Sequence, residues 1–184
     1  MKRFLCLALM LALCLFGAVA REAAVVEQSE APSVVEFDAP YDGQWQPFED
    51  GFMLYLPRGW AAVGLTEAQQ AAGLFYRADS ADGAMSVAVG YMRAGDLATP
   101  EDLALDFEGV GYSNVALLDL NGIPAISFER PGDDYRGLAF FHPVYPEYAL
   151  YVYLSPLVTT DGAAAQTGAA LLASIRPVGV SSEG

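Results

Sequence analysis

The amino-acid sequence predicts an α+β domain in three layers, a mainly antiparallel sheet with helices on both faces. Three observations lead there. Four short β-runs follow one another between residues 113 and 154 with no helix among them. One capped amphipathic helix precedes them and another follows, an order that argues against alternating βαβ units. The last run is apolar on both faces: Tyr148, Leu150, Val152 and Leu154 share one, Ala149, Tyr151 and Tyr153 the other. A strand of that kind must be covered on both sides.

The four runs are Val115–Leu120, Ile123–Arg130, Tyr135–His142 and Glu147–Leu154. Asn121-Gly122 joins the first two and predicts a type I′ hairpin, because both central residues of that turn need positive φ. Pro131-Gly132-Asp133-Asp134 and Pro143-Val144-Tyr145-Pro146 form the other joints.

Upstream, Phe52–Leu56 is a strand stopped by Pro57, and the domain starts near Trp45 or Phe48. Thr66 caps a short helical segment to Ala72. Leu74–Ala78 and Ala84–Arg93 form a strand pair joined through Asp82-Gly83. Thr99-Pro100-Glu101-Asp102 starts a helix: a capping hydroxyl, a proline suited to the first position, and two acids at the positive end of the dipole. Leu103, Phe107 and Val110 form its apolar stripe, and Gly109 and Gly111 end it. Asp161 caps a last helix to about Ile175, with Leu171, Leu172 and Ile175 on its buried side and Pro177 as its stop.

The N-terminus carries an export pattern. Lys2 and Arg3 precede the apolar run Phe4–Gly17, and Ala18-Val19-Ala20 supplies the small residues of a cleavage site, so residues 1–20 read as a signal peptide. A retained anchor is the alternative, since the run is close to the minimum spanning length of about 17 residues. A lipoprotein would use Cys14, but Leu13 before it is large for that processing. Residues 21–44 are acidic and lack a hydrophobic period, and read as a disordered tether or an interaction tail. Residues 45–178 form the domain and 179–184 a flexible tail.

Composition narrows the chemistry. Both cysteines, Cys6 and Cys14, lie in the export segment, which leaves the domain no thiol nucleophile, thiolate metal site or disulfide. Beyond Lys2 there is no lysine, hence no Schiff base. Removing residues 1–20 leaves seven basic residues, all Arg, against 23 acids, a net charge of −16. That surface repels nucleic-acid phosphates and anionic lipids, and nothing after Ala20 is long and apolar enough to insert in a membrane.

His142 is the lone histidine. A Ser-His-Asp triad would need it as base, yet Gly111-Tyr112-Ser113-Asn114-Val115 is no nucleophile elbow, and a histidine ending a strand before Pro143 reads as a turn residue. Asp79, Asp82, Glu101, Asp102, Asp133 and Asp134 fall at turns and caps, which accounts for them without catalysis. A weak cation site at Asp79 and Asp82, or at Asp133 and Asp134, is the alternative. Tyr91, Tyr112, Tyr135, Tyr145, Tyr148, Tyr151 and Tyr153 read mainly as cross-strand packing, with sugar stacking or partner anchoring as alternatives.

Phe52-x-x-x-Leu56-Pro57-x-Gly59-Trp60, the hairpin Asn121-Gly122-Ile123-Pro124-Ala125, and the closing helix before Ile175-Arg176-Pro177 together resemble PsbP-like proteins, over roughly Trp45–Val178. The resemblance implies an α/β/α sandwich shared with a Ran-binding nuclear import factor. Photosystem members of that family bind a membrane complex and affect calcium, chloride and manganese retention. None of their ligand motifs can be placed on these residues, and the acidic, lysine-free surface departs from the basic one of the import factor. The expectation is therefore an exported domain, secreted or associated with a bacterial envelope. It has no catalytic, cofactor-binding or metal residues to assign, and serves as an accessory or binding module for another extracytoplasmic protein. A carboxylate-dependent glycan hydrolase is the competing class. It would need two facing acids in a cleft.

Overall fold

In the computed structural model, residues 33–34, 37, 39–157 and 162–178 are described. Residues 1–20, read above as a signal peptide, Asp161, read as a helix cap, and residues 179–184, read as a tail, lie outside them. The chain folds as a mixed α+β domain dominated by antiparallel pairing. Its strands are β1 (Ser33–Val34), β2 (Gly43–Pro47), β3 (Phe52–Pro57), β4 (Ala61–Ala62), β5 (Leu74–Asp79), β6 (Ser86–Arg93), β7 (Ser113–Leu120), β8 (Ile123–Arg130), β9 (Tyr135–Phe141), β10 (Tyr148–Ser155) and β11 (Arg176–Pro177). The helices are α1 (Glu67–Ala71), α2 (Pro100–Gly109) and α3 (Gly162–Ala173).

The main sheet has eight strands in the order β1-β7-β8-β9-β10-β6-β5-β4. Its centre is the expected meander, β7 to β10, each strand antiparallel to the next. Asn121 and Gly122 take φ of 53° and 91°, the two positive values that a type I′ turn requires. β10 then pairs with β6 over eight residues, which ties the meander to the upstream strand pair.

The two faces of β10 enter two different buried clusters. Leu150, Val152 and Leu154 join Leu171, Leu172 and Ile175 from α3 and the segment after it. Ala149, with Tyr151 and Tyr153 packed against it, joins Leu103 and Phe107 of α2. Close packing of α3 needs a residue without a side chain: a Cβ on Gly168 would run into Leu154 Cδ2.

α2 starts as its sequence requires. Thr99 accepts from the Asp102 N–H at 3.1 Å, and the Asp102 carboxylate accepts from the Thr99 N–H at 3.0 Å. The Thr99 hydroxyl foremost, then the Ala98 and Thr99 N–H groups, hold the Asp102 carboxyl below the usual carboxylate range. The expected stripe is one residue shorter than its spacing suggested. Leu103 and Phe107 are buried, but Val110 is 58% exposed, because the helix ends at Gly109 and Val110 caps it outside the sheet contact.

Two features depart from the expected plan. The face that receives α3 also carries a second sheet, in the order β11-β3-β2. Phe52, Leu54 and Leu56 alternate inward from β3 to the main core, so that face is not covered by a helix alone. The ordered domain also begins before residue 45. β1 runs parallel to β7, the Phe37 ring lies 5.6 Å from those of Trp45 and Tyr55, and the Tyr41 hydroxyl donates to the Tyr55 carbonyl at 2.9 Å. β1, Phe37 and Tyr41 fall within 21–44, read as a tether. Isolated aromatics in an acidic background carry no period, and only the partner surface shows what they bind.

Candidate functional site

α2 packs mainly on β7 and β8, and its Leu103 and Phe107 share a buried cluster with Ala149 of β10. Beside α2 lies a cleft of about 340 Å³, lined by Phe107, Tyr112, Phe128, Tyr135, Tyr151 and Tyr153, with Ala72, Leu74 and Met92 closing one end. No carboxylate lines it.

Strand alternation aims these side chains. Tyr151 and Tyr153 project from the α2 side of β10, and each faces a cross-strand glycine: Gly90 on β6 and Gly137 on β9. A Cβ on Gly90 would lie 2.5 Å from the Tyr151 ring, so the ring occupies the space over the bare backbone. The Tyr151 hydroxyl donates to the Ala72 carbonyl at 2.9 Å, anchoring the turn after α1. Tyr135 and Tyr153 have ring centroids 4.7 Å apart, and the Tyr112 and Tyr135 hydroxyls are 3.2 Å apart. Phe128 meets the Tyr112 ring edge-on at 5.0 Å. The Arg130 guanidinium stacks 4.8 Å over Tyr112 while its Nε pairs with Asp133 at 2.7 Å, so the cation at this rim is already neutralised.

Burial pushes the Tyr151 hydroxyl up to about 12, and raises Tyr135 and Tyr153 as well, Tyr135 further through its bond with Tyr112. At neutral pH these groups stay protonated. They can donate or accept hydrogen bonds, but they are poor general bases. The arrangement offers ring faces and protonated hydroxyls.

A raised phenol value also makes a pH prediction. Stability from these tyrosines is complete below the ordinary value near 10, because both states are then protonated. It falls as pH climbs from there towards 12, where the unfolded chain ionises and the folded one resists. Tyrosinate absorbance should show a late-titrating class, accompanied by a drop in the urea midpoint across the same window. A single class titrating near 10 would contradict the burial.

The residues singled out from sequence are mostly engaged in local structure. His142 is only 6% exposed, and its Nδ1 accepts from the Val144 and Tyr145 N–H groups at 3.0 Å each. The ring proton therefore sits on Nε2, which donates to Asp50 Oδ1 at 3.1 Å. Both nitrogens are committed and neither partner is a serine, so this is no triad. Asp50 was not identified from sequence; its position in the Glu49-Asp50-Gly51 turn was the one available signal. Ser113 begins β7 and bonds to the Glu129 carbonyl at 3.4 Å.

Of the acids singled out, Asp79, Asp82, Asp102, Asp133 and Asp134 have partners. Asp79 takes both Arg77 Nε and Nη2, at 2.9 and 3.2 Å. Asp82 accepts from Ser80 and the Ala84 N–H, which lower its pKa. Asp134 accepts from the Leu157 N–H at 3.1 Å. Among the described residues no three His, Asp or Glu side chains converge as a metal site, and no helix is long and apolar enough to cross a membrane. A second cavity under α3, about 270 Å³, contains one acid, Glu129, beside Arg136.

Comparison with protein-family models and with curated proteins finds no match.

Proposed function

We propose that this chain is an exported, non-catalytic accessory domain that engages another extracytoplasmic protein through the tyrosine cleft, on a PsbP-like three-layer scaffold. The observation that carries this reading is the cleft itself: an aromatic lining of buried Phe107 and Phe128 and four partly buried tyrosines, free of carboxylates. Tyrosines anchor protein interfaces well because they bring large contact area and a polar tip with few rotors to freeze. The layered scaffold is supported by α2 and α3 joining separate clusters on the two faces of β10. Export is supported by the basic, apolar and small-residue order of residues 1–20.

The hydrolase alternative needs two carboxylates about 5–10 Å apart across a cleft. The tyrosine cleft has none, the cavity under α3 has one, and the pocket beside His142 has one. The cation alternative draws on acids already bonded to arginine, serine or backbone N–H groups.

Photo-cross-linking tests the proposal and suits a domain without lysine, which amine reagents hardly label. A photoreactive phenylalanine at Tyr153 is compared with one at Leu105, on the outer side of α2. Tyr153 should yield one discrete adduct in the envelope fraction and Leu105 none. Excess wild-type domain should compete the adduct away, and a Tyr112→Ala/Tyr151→Ala double variant should not. Equal adducts from both positions, or equal competition by the double variant, would remove the cleft from the interface.

A further inference from the structure

We propose that the pocket of Asp50, Tyr91, His142, Tyr145 and Tyr148 is a binding site for a quaternary or otherwise alkylated ammonium group. It holds about 200 Å³ and lies on the opposite face of the sheet from the tyrosine cleft, since Tyr91 and Tyr148 alternate with Met92 and Ala149. Tyr91 and Tyr148 form two walls, with ring centroids 5.8 Å apart and planes at 88°. Tyr145 supplies a third ring from the loop between β9 and β10. Tyr91 and Tyr145 remain 48% and 56% exposed, large aromatic surfaces that the fold leaves open.

This loop is built to hold its shape. The His142 Nδ1 fastens the Val144 and Tyr145 N–H groups, the Tyr148 N–H donates to the Tyr145 carbonyl at 2.9 Å, and His142 Nε2–H orients Asp50. The histidine thus fixes a ring and a carboxylate on one small pocket. Ring faces carry negative quadrupole density, and a carboxylate beside them adds a full charge, so the shared preference is for a cation.

The carboxylate geometry selects which cation. A guanidinium pairs best with both carboxylate oxygens. Here Oδ1 accepts from His142, leaving Oδ2 as the one without a protein donor among the described residues. An alkylated ammonium needs no such fork: it needs ring faces around it and one charge nearby. The charged chain neighbours are Glu49 and Glu147 against Arg93, and the chain carries 23 acids against nine bases, so the field also favours a cation.

The test is a titration of the protein with choline, read by the NMR signals of Tyr91, Tyr145 and Tyr148. The control ligand is 3,3-dimethylbutan-1-ol, which has the same shape without the charge. Choline should saturate with a dissociation constant on the order of millimolar, and the alcohol should bind at least about 10-fold more weakly. Asp50→Asn keeps an acceptor for His142 and should weaken choline about 3- to 10-fold, as should Tyr91→Leu at its exposed position. Binding to phosphatidylcholine vesicles as well would assign the group to a lipid headgroup; choline binding without vesicle binding would assign it to a free amine. Equal affinity for choline and the alcohol, no saturation by either, or unchanged affinity in both variants would overturn the site.

Discussion

Phe52→Ala should destabilise the domain by about 3–5 kcal/mol, a large part of the 5–15 kcal/mol typical of a folded domain. Phe52 is fully buried on β3, with its ring 4.7 Å from Phe48 and edge-on at 5.5 Å to Phe140 of β9. It joins the small sheet to the large one, so truncation opens a cavity where two sheets meet and neither can collapse alone. Both cysteines of the chain lie before the described residues, so no disulfide within the domain offsets the loss. Urea unfolding should show a lower midpoint with an unchanged slope. Phe52→Leu, which keeps most of the volume, should cost less than half as much. Equal losses for the two variants would mean that the apolar volume Leu retains contributes nothing, and that cavity formation is not the source of the loss.

Gly137→Ala should cost about 3 kcal/mol, the upper end of overpacking effects, despite adding one methyl group. Gly137 lies on β9 between Phe128 of β8 and Tyr153 of β10. Its Cβ would run into the Val152 carbonyl oxygen, with Phe128 Cζ at 2.7 Å and Tyr153 Cα at 2.9 Å. Two of these obstacles are backbone held by the ladder, so relief requires moving a central strand. Gly90→Ala provides the contrast, because there the obstacle is the Tyr151 ring, which can swing away. It should cost less stability and instead disturb the cleft, visible as a smaller late-titrating tyrosine class, since Tyr41 and Tyr76 outside the cleft are raised by burial as well. If Gly137→Ala proved the milder of the two, the close approach of β9 to β10 would be wrong.

Much of the fold is legible because its signals are local. β8 occupies the expected residues, Ile123–Arg130, since a turn with two positive φ values sets the register of its hairpin. Thr99 and Asp102 start α2 because hydroxyl and carboxylate reach N–H groups three residues away. β2 and β11 were missed: Gly43–Pro47 has glutamine at alternate positions and Arg176–Pro177 is two residues long, so neither has a hydrophobic period. Strand alternation already separated Tyr148 from Tyr151 and Tyr153, but did not show where Tyr91, Tyr112, Tyr135 and Tyr145 would join them. Tyr112, Tyr135, Tyr151 and Tyr153 line one cleft, while Tyr91, Tyr145 and Tyr148 line a pocket on the other face.

What the chain determined by itself is therefore the meander, its turns, the caps, the acidic balance and the absence of cysteine and lysine from the domain. Each of these is written within a few residues or in the composition. The tertiary structure alone decided that β3 brings a second sheet over the core, that Asp50 meets a histidine 92 residues away, and that four tyrosines gather in a cleft beside Phe107 of α2. Those outcomes depend on which distant surfaces meet, and a contact between distant residues leaves no periodicity in either partner's own stretch of chain.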